Sequence, residues 1–181
     1  EKGLSFRNWQ NLLLLGGGSH RTGKTGGSWK ELEEFARTFF IGAKILGKWA
    51  TQDCMTLDGV PYIGPYSKST PDLYVATGFN KWGMTSAMVS AMILSDSICG
   101  KTNPYAPVFS PSRGILHPQL LLNTAESLAG LLKPTAPRCP HLGCALKYNP
   151  AEHSWDCSCH GSRFSESGKL LDNPATDDKE M

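Results

Sequence analysis

Cys139-Pro140-His141-Leu142-Gly143-Cys144, then twelve residues, then Cys157-Ser158-Cys159-His160-Gly161-Ser162, is the stretch on which the reading of this chain turns. Four of the six cysteines fall here beside two histidines, while Cys54 and Cys99 stand alone. Such clustering points to a metal site rather than to the spread-out disulfide framework of a secreted scaffold. Each segment puts a thiolate and an imidazole on one tight loop, so two loops facing each other can offer four ligands to one centre. A Cys₂His₂ zinc finger uses a cysteine pair followed by a histidine pair on a helix. Here each loop mixes the two types and a glycine follows in both, an order that favours a two-iron cluster and leaves a structural zinc site as the alternative.

These residues resemble the Rieske family, whose pattern is Cys-x-His, a gap of about fifteen residues, and Cys-x-x-His, with one further cysteine in each loop. In this chain fifteen residues separate His141 from Cys157, and the further cysteines are Cys144 and Cys159. The resemblance implies that Cys139 and Cys157 bind one iron and that His141 and His160 bind the other. It also implies a disulfide between Cys144 and Cys159, and a hydroxyl of Ser162 that donates to a cluster sulfur. Phe164 stands where high-potential members carry a tyrosine, which implies a lowered potential. Replacing two thiolates by neutral imidazoles reduces the negative charge around the cluster and makes its reduced state easier to reach. The resemblance covers residues 138–175, and only residues 133–138 separate the preceding predicted helix from the first loop, where strands of a basal sheet are usual. Neighbouring parts of the chain are expected to shield the cluster, or else to leave it more exposed.

Upstream, residues 119–132 have the pattern of an amphipathic helix ended by Pro134 and Pro137. Pro104, Pro107, Pro111 and Pro118 punctuate residues 103–118, a composition suited to a tether. A helix is predicted from about Met84 to Cys99, with strands at residues 44–49, 62–63 and 73–77 and an Asp58-Gly59 turn. Ser28 with Glu31 forms a capping box, behind which Trp29, Leu32, Phe35, Ala36, Phe39 and Phe40 recur at helical period. Residues 3–7 and 11–15 read as two short strands around an Asn8-Trp9-Gln10 turn. Between hairpin and helix, Gly18-Ser19-His20-Arg21-Thr22-Gly23-Lys24-Thr25 satisfies the phosphate-loop pattern. Phosphate binding requires the helix to begin at the Gly-Lys-Thr, whereas the capping box starts it at Ser28, and no downstream apolar strand ends in a magnesium-holding aspartate. The nucleotide reading is therefore set aside.

Residues 49–53 (Trp-Ala-Thr-Gln-Asp), 56–64 (Thr-Leu-Asp-Gly-Val-Pro-Tyr-Ile-Gly) and 73–85 (Leu-Tyr-Val-Ala-Thr-Gly-Phe-Asn-Lys-Trp-Gly-Met-Thr) form a second constellation. In order and spacing they resemble the C-terminal part of FAD-dependent amine and D-amino-acid oxidoreductases of the glycine-oxidase type. The resemblance covers residues 4–101. It implies that a strand passes through a glycine turn into a helix whose N-terminus faces the flavin, with FAD contacts at Gly78, Phe79, Asn80, Trp82, Gly83, Met84 and Thr85. Amides and the positive dipole end there would stabilise negative charge on the reduced ring. The family's dinucleotide-binding fold is expected upstream of Glu1, on an upstream FAD-binding domain, so the chain is expected to be a piece of a longer protein that holds FAD only with that part. Asp53 stands where many amino-acid oxidases carry a carboxylate-binding arginine, which suits a small cationic amine-like substrate. Cys54 is expected to be buried and inert, Cys99 to belong to the core, and His20, His117 and His153 to be ordinary surface or loop residues.

With 18 Lys+Arg against 16 Asp+Glu, the formal charge of +2 offers no strong pull toward nucleic acid. The longest apolar runs fall far short of a membrane span, and no signal peptide opens the chain, so a cytoplasmic location is expected. The expected fold class is α+β: residues 1–102 the flavin-oxidoreductase part, 103–135 a Pro-rich linker and helix, and 136–181 a small all-β cluster-binding domain. The expected function is electron transfer through a [2Fe-2S] cluster coupled to FAD-dependent oxidation of an amine or amino-acid-like substrate, with an unknown redox partner and no catalytic residue assigned. A non-enzymatic electron carrier and a zinc-stabilised interaction module are the alternatives.

Overall fold

The structure is a computed structural model that describes residues 3–24, 29–114, 117–134 and 136–180. The chain mixes helices with antiparallel sheets and divides into two compact units, Glu1–Thr51 with Thr124–Met181, and Gln52–Asn123. Among the described residues, no helix is long and apolar enough to cross a membrane.

In the first unit, β1 (Ser5–Trp9) and β2 (Leu12–Gly16) form an antiparallel hairpin whose register pairs Phe6 with Leu15 and Trp9 with Leu12. Its turn falls at Gln10, which takes the left-handed φ of 52°, so β1 runs two residues beyond the expected stretch. Helix α1 (Lys30–Phe39) follows, with Phe35 stacked between Phe6 of the hairpin and Phe39, at centroid separations of 5.6 and 4.5 Å. Ser28, the expected cap, lies outside the described residues. Residues 44–49 form no strand. Ile45, Leu46 and Trp49 are exposed and no neighbouring strand pairs with them, so the β-forming composition has no ladder in which to act.

The same unit holds a four-stranded antiparallel meander, β5 (Leu146–Asn149), β6 (Ser154–Cys157), β7 (Arg163–Ser165) and β8 (Leu170–Asp172). It is small and all-β, and its core is Cys139, Cys144, Leu146, Cys157, Phe164 and Ala175, with Trp155, Cys159 and Leu170 packed against it. Three of its six central residues are cysteines, so the core lies where the two loops meet.

In the second unit, β3 (Tyr62–Ser67) pairs antiparallel with β4 (Thr70–Thr77), and both run longer than the short predicted strands. Helix α2 (Gly83–Ile98) buries Ser86, Ser90 and Ile93, and Ile63 of β3 is fully buried. Small serines at one-turn spacing allow the helix to lie close to the strand. The proline-rich stretch carries a short helix, α3 (Ala106–Phe109), and Arg113 beyond it is firmly held. The Arg113 guanidinium donates to Asp58 Oδ2 at 2.7 Å and Oδ1 at 2.9 Å and to the Pro61 carbonyl at 3.0 Å, and lies 3.7 Å above the Tyr62 ring. Helix α4 (Pro118–Leu131) matches its prediction to within one residue. Cys54 and Cys99 are both exposed, against expectation. Their apolar character is outweighed by position, one in an unpaired segment and the other at the end of α2.

Candidate functional site

Two loops with one hydrogen-bond pattern build the site. In the first, the Cys139 amide donates to the Cys144 carbonyl and the Gly143 amide to the Cys139 carbonyl, each at 2.9 Å. In the second, the Cys157 amide donates to the Ser162 carbonyl at 2.8 Å and the Gly161 amide to the Cys157 carbonyl at 2.9 Å. The fifth residue of each loop is a glycine with positive φ, 73° at Gly143 and 92° at Gly161, a conformation in which a side chain is strained. The bridge between Arg138 and Ala145 closes the first loop, and the register pairing Leu146 with Cys157 sets it beside the second.

This arrangement sorts the donors by type. Cys139 and Cys157 are buried, with thiols close enough to hydrogen-bond. His141 and His160 lie on the exposed side, their rings edge to face with centroids 5.0 Å apart. Burial raises the Cys139 thiol pKa, opposed by hydrogen bonds from the His141 amide and the Ser162 hydroxyl. The Ala175 amide donates to Ser162 Oγ at 2.9 Å, which leaves the hydroxyl proton free to point at the Cys139 sulfur. Partial burial, helped by the neighbouring His141, lowers the His160 pKa and favours the neutral, metal-binding ring. Two sulfurs on one side and two imidazoles on the other fit a cluster with one sulfur-ligated and one nitrogen-ligated iron. Cys144 and Cys159 are free thiols in the structure, and together with Cys157 their sulfurs lie within 4.8 Å of one another. Burial and the neighbouring Cys159 push the Cys144 thiol up to about 12.

Several supporting residues escaped the sequence reading. Arg138 closes the end of α4, donating to the carbonyls of Leu131 at 2.9 Å and Lys133, and reaches the Gly143 carbonyl of the first loop at 3.0 Å. Arg163, buried in β7, ties the meander together by donating to Glu152, to Asp156 at 3.3 Å and to Asp172 at 3.0 Å. Lys24 of the phosphate-loop pattern donates to Glu126 Oε1 at 2.6 Å. The visible signals were Arg138 beside Cys139 and Arg163 six residues after Cys157, and their partners were not visible.

The second constellation lies in the second unit, where Gly78 ends β4 with φ 69° and a Cβ there would meet Thr56 Cγ2 at 2.3 Å. Asn80, at φ 52°, pins the turn: its Oδ1 accepts the Thr56 amide at 3.1 Å and its Nδ2 donates to the Gly59 carbonyl at 3.0 Å. Phe79 is half-buried, whereas Trp82, Gly83, Met84 and Thr85 are exposed. Among the described residues no side chain caps the start of α2, and its first residues are exposed, so the free amides of a helix start are available to an anionic ring edge. Asp53 is paired with Lys81 at 2.9 Å.

The family model described as FAD dependent oxidoreductase matches residues 1–97, and that described as Rieske [2Fe-2S] domain matches residues 115–180. The Bacillus subtilis (strain 168) protein YhfW, named as a Rieske 2Fe-2S iron-sulfur protein, is 35% identical over 213 residues, covering 93% of this chain and 42% of YhfW. The cytochrome b6-f complex iron-sulfur subunit of Nostoc punctiforme is 49% identical over 37 residues, 20% of this chain and 21% of that protein. That of Pisum sativum is 43% identical over the same length, 20% of this chain and 16% of its own. No solved structure matches. This chain thus spans less than half of YhfW. It belongs to the FAD dependent oxidoreductase family and carries a Rieske [2Fe-2S] domain.

Proposed function

We propose that the chain is part of a cytoplasmic flavin-dependent oxidoreductase that passes electrons through a cluster held by Cys139, Cys157, His141 and His160. The observation that carries this is the sorting of donors by the two matched loops, thiols buried together and imidazoles exposed together. When bound, FAD supplies hydride-equivalent chemistry and the cluster one-electron chemistry, which divides a two-electron oxidation into single steps. The chain's own residues do the rest. Ser162 donates to the Cys139 sulfur and so favours the more negative state, and the buried core of the meander excludes water behind the thiols. The exposed imidazoles face the route by which an electron and a proton leave. Cys144 and Cys159 are proposed to form a disulfide that clamps the loops. On the flavin side, Gly78, Phe79, Asn80, Trp82, Gly83, Met84 and Thr85 receive the ring, an upstream domain supplies the dinucleotide site, and Asp53 faces a small amine-like substrate that displaces Lys81. That displacement is cheap, because both members of the pair are about half-exposed.

Anaerobic reductive titration of the full-length protein tests this reading, with flavin and cluster followed in the same sample. Electrons introduced at the flavin by substrate should appear at the cluster; a flavin that reduces while the cluster stays oxidised would refute the coupling. A zinc module is the second reading, favoured by the three sulfurs of Cys144, Cys157 and Cys159 lying within 4.8 Å of one another. In that case the metal is redox-silent and the thiols are its ligands.

A further inference from the structure

The glycine-rich segment that imitates a phosphate loop has its basic groups committed elsewhere: Lys24 donates to Glu126 at 2.6 Å and Arg21 lies 2.9 Å from the same carboxylate. Its second glycine is pressed against the cluster loop. A Cβ at Gly23 would stand 2.6 Å from the Ser158 Cβ and 2.7 Å from the Ser158 Cα and N, and Gly23 has a left-handed φ of 73°. Ser158 lies between Cys157 and Cys159, so this is backbone meeting backbone inside the second loop. Glu126 continues the connection along α4. One turn on, on the same face, a Cβ at Gly130 would lie 3.0 Å from Cys159 Sγ, and the Gly130 carbonyl accepts the Ala145 amide at 3.1 Å beside the first loop. Two glycines, joined through Glu126, touch adjacent residues of the second loop, where only residues 132–138 separate α4 from the first.

We propose that this segment is the seat of the second cluster loop, and that Gly23 is a positioning residue which sets the cluster's retention and potential. The inference rests on the cluster reading above. It assigns the phosphate-loop pattern a role: the glycines permit close approach to a peptide rather than to a phosphate, and the lysine anchors a helix rather than a nucleotide.

Gly18 provides an internal control. It has a similar φ of 66°, but a Cβ there would meet nothing within 4 Å. Gly18→Ala therefore carries the same backbone strain without the contact. In the full chain, Gly23→Ala should weaken iron retention against a chelator by about ten- to a hundredfold, the range of affinity lost with a supporting partner around a metal site. It should also shift the midpoint potential and speed amide hydrogen exchange at residues 157–161. Gly18→Ala should leave all three near wild type. Should Gly23→Ala not fold, the half-exposed pair Arg21→Gln with Lys24→Gln should move the same readouts in the same direction by a smaller factor. Equal behaviour of the Gly18 and Gly23 variants, with two irons in the wild type, would overturn the seat and leave the cluster reading intact. A wild-type chain without iron would overturn the cluster reading, whereas hydrogen exchange would still report on the contact itself.

Discussion

At the residue scale, the chemistry is concentrated in side chains that sit one hydrogen bond from a sulfur. Ser162 is fully buried, is held by the Ala175 amide, and donates to Cys139. Phe164, two residues on, is equally buried and has no hydroxyl to donate. Ser162→Ala should lower the midpoint potential and Phe164→Tyr should raise it, each by about 60 mV, the one-electron equivalent of a hydrogen bond of about 1.4 kcal/mol. Potentiometric titration followed by electron paramagnetic resonance measures both, and shifts of the same sign would contradict the assignment. Cysteines and histidines of the site were legible in the sequence because metal chemistry is written in residue type and short spacing. The contact of Gly23 with Ser158 was not, since 135 positions separate them and a glycine carries no mark of what it approaches.

At the element scale, the cluster loops are carried by a meander of short strands tied together by one buried arginine. Arg163 in β7 reaches Glu152, Asp156 in β6 and Asp172 in β8, and its side chain is only 8% exposed. Arg163→Ala would leave carboxylates buried without their counter-charge, which should cost about 3–5 kcal/mol. Chemical denaturation should show this as an earlier midpoint with loss of the cluster's visible absorbance. In the second unit Arg113 plays a similar part, strapping the proline-rich stretch to the Asp58 turn. Its guanidinium holds the Asp58 carboxyl well below the usual carboxylate range. Because the folded-state pKa is depressed, the stabilisation is fully present above the ordinary value of about 4 and is lost as pH falls below it. Asp58→Asn should be less stable than wild type at pH 7, and the difference should shrink toward pH 2 in thermal melts. A constant difference would show that the ion pair contributes nothing. Helices α2 and α4 were legible to within a residue, because each has periodic apolar and small positions bounded by glycine or proline. Residues 44–49 were misread because strand-forming side chains do not show whether a partner strand exists.

At the scale of the whole molecule, composition and packing divide the chain differently. Proline content marks residues 103–118, yet residues 1–51 pack with 124–181. Such non-local pairing has no signature in a single sequence. The two family matches, by contrast, follow sequence order, residues 1–97 and 115–180, because each rests on local motifs. The chain spans 42% of the length of YhfW, and the dinucleotide site is proposed to be supplied by an upstream domain. Purified alone, this chain should therefore carry iron and sulfide but little FAD. Iron, sulfide and zinc analysis of anaerobically purified protein, with the electron paramagnetic resonance spectrum after dithionite reduction, tests the central claim most directly. Two irons and two sulfides per chain with the low average g-value of mixed histidine and cysteine ligation are predicted; stoichiometric zinc without iron would contradict it.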